Sequence, residues 1–225
     1  MAVSVVFVHG VGSMSSMWNR QVKLLDAAGI TSIAVDLPGH GSRVAEKFSM
    51  QAALATIDDA VESLPGPVLL VGLSFGGYLA IHYAAANPPK VGGLVASSCG
   101  TVPNRALIAG YRLLHRLGGP IPEYVAATAF DEMLEGVAML HPLQDIAQIR
   151  VPIWFINGQF DHFRLQEGRF LRTARRRAGL PAKYSSLRII KGALHEASLS
   201  RPAEFNAAIV QAADRVAQLN PQRTS

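Results

Sequence analysis

Short, almost wholly apolar runs alternate with segments of helical periodicity through most of the 225 residues. Val3–Val8, Thr31–Val35, Val68–Val71 and Val91–Ala96 are four to six residues long, rich in Val and Ile, and bounded by Gly, Pro or polar residues, so each predicts a buried strand. Between them the spacing changes. Trp18–Ala28 predicts a helix stopped at Gly29. Ser49 stands where an N-cap belongs, ahead of Met50, Ala53, Leu54, Ile57, Val61 and Leu64 at helical spacing, with Pro65-Gly66-Pro67 as the stop. Gly76–Ala86 is apolar nearly all round, as expected of a helix against the middle of a sheet.

The alternation breaks between about 101 and 145. That stretch predicts helices over Arg105–Leu117 and Tyr124–Leu140, separated by Gly118-Gly119-Pro120, and no strand. Alternation resumes with strand Pro152–Asn157, an Arg-rich helix, strand Ser186–Ile190 and a last helix over Pro202–Leu219, with Phe205, Ala208, Ile209, Ala212, Val216 and Leu219 on one stripe. Near-continuous apolar strands alternating with helices predict an α/β protein. The expected architecture is one domain with a mostly parallel sheet of about six strands, helices on both faces, and an insertion at about 101–145.

Composition narrows this picture only a little. Hydrophobic residues make up 49% and charged residues 16%, which suits a folded core and not a disordered chain. No apolar run approaches the ~18 residues of a membrane span. The apolar start, Met1–Val8, lacks a basic flank and a cleavage site, and Cys99 is the sole cysteine, so the expected compartment is the cytosol. The net charge of +5 is uneven. Residues 1–163 hold 9 Lys/Arg against 12 Asp/Glu, whereas 164–225 hold 12 against 4. Arg169, Arg172 and Arg176 fall on one helical face. That face is either solvated or a dock for an acidic partner. Sparse aromatic interleaving argues against nucleic acid.

The chemistry gathers just after the apolar runs, at the edge where parallel sheets bind ligands. His9-Gly10-Val11-Gly12 follows the first run, Asp36 the second, Ser74 the third, Asp161 the fifth and His195 the sixth. Ser74 lies in Gly72-Leu73-Ser74-Phe75-Gly76, where a strand gives way to a helix within one residue. Such a turn exposes the serine and tolerates only glycine two places to either side. An imidazole must take the serine proton, and His195 suits that role. Asp161 is the expected partner of His195. Asp36, in a Gly-bearing loop, is expected to bind backbone N–H groups instead, and His9 to brace the loop beneath the oxyanion hole. The N–H groups of Val11 and Phe75 are the candidate oxyanion donors. Trp18, Tyr111, Phe130 and Met133 are the candidate substrate contacts, within an apolar set that also includes Leu107, Ile108, Leu114, Leu134, Met139 and Leu140. His115 and His141 fall in the insertion and are further candidates for substrate contact. Metal-ligand spacing and a phosphate loop are both missing, so no metal and no cofactor are expected.

These pieces, with Asp36-Leu37-Pro38-Gly39-His40-Gly41-Ser42, Val151-Pro152 through Asp161, and Gly192-Ala193-Leu194-His195, occur in one order along nearly the whole chain. In that order the chain resembles the α/β-hydrolase fold superfamily, and its layout is similar to small-capped serine carboxylesterases. The resemblance implies a triad Ser74–Asp161–His195, the Val11 and Phe75 donors, and a short helical cap at 101–145. The sequence departs from the fullest form of that fold in starting directly at the strand before His9, so the two leading antiparallel strands are expected to be missing. The implied activity is hydrolysis of a carboxylic ester through an acyl-enzyme. Thioester hydrolysis, acyl transfer or peracid formation, and C–C cleavage use the same triad, and a non-enzymatic small-molecule-binding role is the remaining alternative. Some similar esterases act on acyl groups held by an acidic carrier protein, a partner the Arg-rich helix would suit.

Overall fold

A computed structural model describes residues 3–86, 91–117 and 121–220, with the side chains of 114–116 excepted. Six strands form one sheet: β1 (Ser4–Val8), β2 (Ser32–Val35), β3 (Val68–Leu73), β4 (Val91–Ser97), β5 (Ile153–Gly158) and β6 (Ser185–Ile190). The order is β2-β1-β3-β4-β5-β6, and each neighbouring pair is parallel. β1, β3 and β4 are buried along their whole length, which explains their unbroken apolar runs.

Successive residues feed opposite faces. Val6 and Val8 enter the core shared with α2 (Met50–Ser63), α3 (Phe75–Ala86), α6 (Pro142–Gln148) and α7 (Glu167–Arg175). Val5 and Phe7 enter the second core, closed by α1 (Asn19–Ala27) and α9 (Pro202–Leu219). Ser49 caps α2 as expected, its hydroxyl accepting the Ala52 N–H at 3.1 Å.

The register places the site. Val8 pairs with Gly72, Gly72 with Ala96, Ser97 with Ile156 and Gly158 with Ile190, so the loops after five strands leave one edge together. The chain also reverses direction across the sheet between β1 and β3, which opens a crevice between the loops carrying His9 and Ser74.

Three sequence expectations need adjusting. Ser15–Trp18 is a 3₁₀ turn, and α1 begins only at Asn19. The helix expected over Tyr124–Leu140 is confined to α5 (Ala129–Ala138), because residues 124–126 bind the Gly39–Gly41 loop instead. There the Gly41 N–H donates to Tyr124 O at 2.8 Å and the Ala126 N–H to Gly39 O at 2.8 Å. α6, which no sequence signal indicated, packs between α3 and α7. The parts of 101–145 that border the Ser74 cavity are Pro103, α4 (Arg105–Leu117) and α5. Gly118-Gly119-Pro120 and the tail from 221 lie outside the described residues. Among those described, no helix is long and apolar enough to cross a membrane.

Candidate active site

Ser74 is the one residue between β3 and α3. Its φ is +54°, in the left-handed region, a conformation that costs a side-chain-bearing residue about 1–3 kcal/mol. The surroundings enforce it. Its N–H donates to Ser97 O at 2.8 Å, and its carbonyl accepts from Gly77 at 2.9 Å and Tyr78 at 3.1 Å. A Cβ on Gly72 would overlap the Gly76 carbonyl, and one on Gly76 would overlap the carbonyls of Val8 and His9. The glycine spacing is thus a steric requirement of this turn.

The loop after β1 is set from below by His9, which is fully buried. Its Nδ1–H donates to Gly10 O at 2.8 Å and its Nε2 accepts the Leu37 N–H at 3.1 Å, which fixes the neutral tautomer. Burial, with the nearby His40, pulls its pKa down to about 4. Asp36 behaves as a loop residue, accepting the Ser15 N–H at 2.6 Å and the Ser42 N–H and hydroxyl at 2.9 and 2.8 Å. Val11 and Phe75 both border the cavity at Ser74, and the Phe75 N–H belongs to the first turn of α3, where N–H groups have no acceptor within the helix.

The loops after β5 and β6 are packed against each other. The Gln159 N–H donates to Ile190 O and the Phe160 N–H to Ala193 O, both at 2.9 Å, and a Cβ on Gly158 would overlap the Leu194 carbonyl. This brings Asp161 to His195. Asp161 Oδ1 accepts from His195 Nδ1 at 2.8 Å and from the Phe163 N–H at 2.8 Å. Burial alone would raise the Asp161 carboxyl, but the hydrogen bond and charge of His195, with the Phe163 N–H, outweigh it and hold the carboxyl below the usual range. With its proton on Nδ1, His195 keeps a lone pair on Nε2. Sequence reasoning missed Ser98, which has φ +56°. Its hydroxyl donates to His195 O at 2.6 Å and its N–H to Asn157 Oδ1 at 2.9 Å, tying the histidine loop to the end of β4.

A cavity of about 50 Å³ opens at Ser74, and no charged side chain lines it among the described residues. Tyr111, Leu107 and Ile108 reach it from α4, Leu134 and Val137 from α5, and Phe163 from the loop after Asp161. The Phe163 ring centroid is 5.2 Å from that of His195; neither His195 nor Asp161 itself lines this cavity. Three of the four expected substrate contacts are not in this lining as expected, since only Tyr111 borders the cavity. Trp18 is fully buried in the second core, stacked on Phe7 at 4.9 Å, because the 3₁₀ turn directs its indole under the sheet. Met133 is fully buried in the first core and Phe130 is buried. Met139 and His141 are exposed, and the side chains of Leu114 and His115 lie outside the described residues. His162, to which the sequence pattern assigns no role, stands between Tyr111 and His195. Its Nε2 is 3.2 Å from the Tyr111 hydroxyl, and its ring centroid is 5.0 Å from that of His195.

Arg169, Arg172 and Arg176 are exposed, as a solvated or docking face requires. Two other arginines of that run are committed elsewhere. Arg164 pairs with Glu167 at 2.7 Å, and Arg177 is buried.

The curated relatives match over part of their length. An esterase of Mycobacterium tuberculosis is 39% identical over 98 residues, which are 42% of this chain and 32% of that protein. A pimeloyl-[acyl-carrier protein] methyl ester esterase of Neisseria meningitidis is 35% identical over 88 residues, 39% of this chain and 33% of that one. The chain thus spans about a third of the length of these relatives. Among solved structures, a putative non-heme bromoperoxidase of M. tuberculosis superposes with a TM-score of 0.77 at 21% identity, covering 96% of this chain and 93% of that one. A thermophilic esterase of Thermogutta terrifontis superposes with a TM-score of 0.76 at 20% identity, covering 96% and 91%. At these identities the likeness is one of fold. The model of the alpha/beta hydrolase family matches residues 5–217, nearly the whole chain, and the protein belongs to that family.

Proposed function

We propose that the protein is a serine hydrolase that cleaves carboxylic esters of short, uncharged acyl groups. The observation that carries this reading is a left-handed serine opening on an apolar cavity, with an Asp161–His195 pair bonded at 2.8 Å beside Phe163 of its lining. In the first half-reaction His195 Nε2 takes the Ser74 proton as Oγ attacks the ester carbonyl. The oxyanion faces the Val11 and Phe75 N–H groups. The new imidazolium, stabilised by Asp161, then protonates the departing alkoxide. In the second half water repeats the attack on the acyl-enzyme with His195 again as base, which releases the acid and restores Ser74.

The small cavity, about 50 Å³, favours a short acyl chain over a long one. The uncharged lining argues against diacid substrates. The test is turnover of p-nitrophenyl acetate, butyrate and octanoate. The expected ranking favours the first two, and Ser74→Ala should lower kcat by about 1,000-fold or more. Turnover independent of Ser74, or a fluorophosphonate adduct on another residue, would overturn the reading.

Thioester hydrolysis and acyl transfer use the same groups and differ only in leaving group or acceptor. A second reading, that the acyl group arrives on an acidic carrier, draws support from the exposed Arg169, Arg172 and Arg176 and from the Neisseria relative.

A further inference from the structure

Beside the Ser74 cavity, three metal-ligating side chains from two loops come together. One donor atom from each of Asp161, His162 and His195 lies within 4.8 Å of the others. Two imidazoles and a carboxylate are a donor set for a borderline transition-metal ion, whereas Mg²⁺ and Ca²⁺ prefer all-oxygen shells. The carboxylate is no ordinary surface acid. Asp161 is buried, and its Oδ2 has no hydrogen-bond partner. The third donor is adjustable, because His162 is exposed and its hydrogen-bond contact is the Tyr111 hydroxyl at 3.2 Å. Ligands about 2.0–2.2 Å from zinc stand roughly 3.3 Å apart. The donor atoms must therefore close by at most about 1.5 Å, and His162, being exposed, is the side chain with room to move.

We propose that Asp161, His162 and His195 form a site for Zn²⁺ or a similar divalent transition-metal ion, and that its occupation reversibly switches off the serine chemistry. Binding at the three residues does not depend on the esterase reading; the loss of turnover does. A neutral imidazole has one lone pair. If the ion takes Nδ1 of His195, the ring proton moves to Nε2, which then has no lone pair for the Ser74 proton. If the ion takes Nε2, it occupies that lone pair directly. Either way the base is lost without any covalent change, and a chelator restores it. His162 discriminates this site from adventitious binding, since it lies next to the triad residues without being one of them.

Calorimetric titration of Zn²⁺ into the full chain carrying Ser74→Ala measures binding without any turnover. One ion per chain is expected, with affinity lowered about 10-fold or more by adding His162→Gln and unchanged by adding His141→Gln, which removes an exposed histidine elsewhere. Equal affinity with and without His162, affinity lost with His141, or no saturable binding at millimolar ion would each overturn the proposal. In the wild type, Zn²⁺ should inhibit hydrolysis of p-nitrophenyl acetate in step with its binding, and EDTA should reverse it. Full turnover at saturating Zn²⁺ would overturn the inhibitory half. A chain that binds Zn²⁺ through His162 but hydrolyses no ester supports the site and counts against the esterase reading alone.

Discussion

His9 makes a sharp prediction about acid. In the fold its Nε2 faces the Leu37 N–H, so a proton there would set two donors against each other at a fully buried position. The fold holds its pKa near 4, against about 6.5 in the unfolded chain. Above pH 6.5 both states are neutral and the group contributes no pH dependence. Below it the unfolded chain takes up a proton that the folded chain refuses, so stability falls with pH until about 4. Between pH 7.5 and 5.0 the loss from this residue is about 2 kcal/mol, reaching about 3 kcal/mol near pH 4. His40, whose pKa burial also lowers, adds to the slope in the same window, while His82, raised chiefly by its bond to Asp145, opposes it. The measurement is therefore a difference. Urea unfolding, followed by far-ultraviolet dichroism at pH 7.5, 6.5, 5.5 and 5.0, is compared between wild type and His9→Gln. The variant should be less stable at pH 7.5 and lose about 2 kcal/mol less on going to pH 5.0. Parallel curves would refute the assignment of a neutral, doubly bonded His9.

Other outcomes follow from packing and charge. Gly76→Ala places a methyl group against two backbone carbonyls of the neighbouring strand end, so a loss above about 3 kcal/mol is expected by urea unfolding. Arg177→Met removes donors to the carbonyls of Ala174, Ile149 and Val151, at 2.7, 2.8 and 2.8 Å, and to the Ser185 hydroxyl at 2.9 Å. Orphaning these buried acceptors should cost about 3 kcal/mol, seen as a Tm lower by about 6–12 °C. If the substrate arrives on an acidic carrier, Arg169→Glu with Arg172→Glu and Arg176→Glu should raise KM for the carrier-bound ester about 10-fold and leave that for p-nitrophenyl acetate unchanged. Equal KM values for wild type and variant on the carrier-bound ester would dismiss the carrier.

β1, β3 and β4 were legible because they are buried on both faces and bounded by turn residues, so they appear as plain apolar runs. The Ser74 turn was legible because glycine is the only residue its neighbours admit. What the chain did not disclose depends on rotation and on distant partners. α6 is seven residues long with Ile146 as its fully buried side chain, too few positions for a period to emerge. Trp18 follows the His9 loop closely in sequence, yet one 3₁₀ turn sends its ring to the opposite face. Met133 and Leu134 are adjacent on α5, but Leu134 meets the cavity and Met133 the core, a choice set by how α5 lies on α3. His162 has no sequence signature beyond its position after Asp161, and its contact with Tyr111 joins residues 51 positions apart.

The placement of α9 bears on how the chain is made. This helix, with α1, covers much of one face of the sheet, including Phe7, Leu69, Val71 and Val95. Its residues, 202–219, are synthesised after every strand. Until they emerge from the ribosome, a broad apolar sheet face lacks its main cover, and with its neighbouring strands paired in parallel the sheet itself assembles from contacts distant in sequence. A nascent chain stalled short of α9 is thus a strong client for chaperones that shield hydrophobic surface.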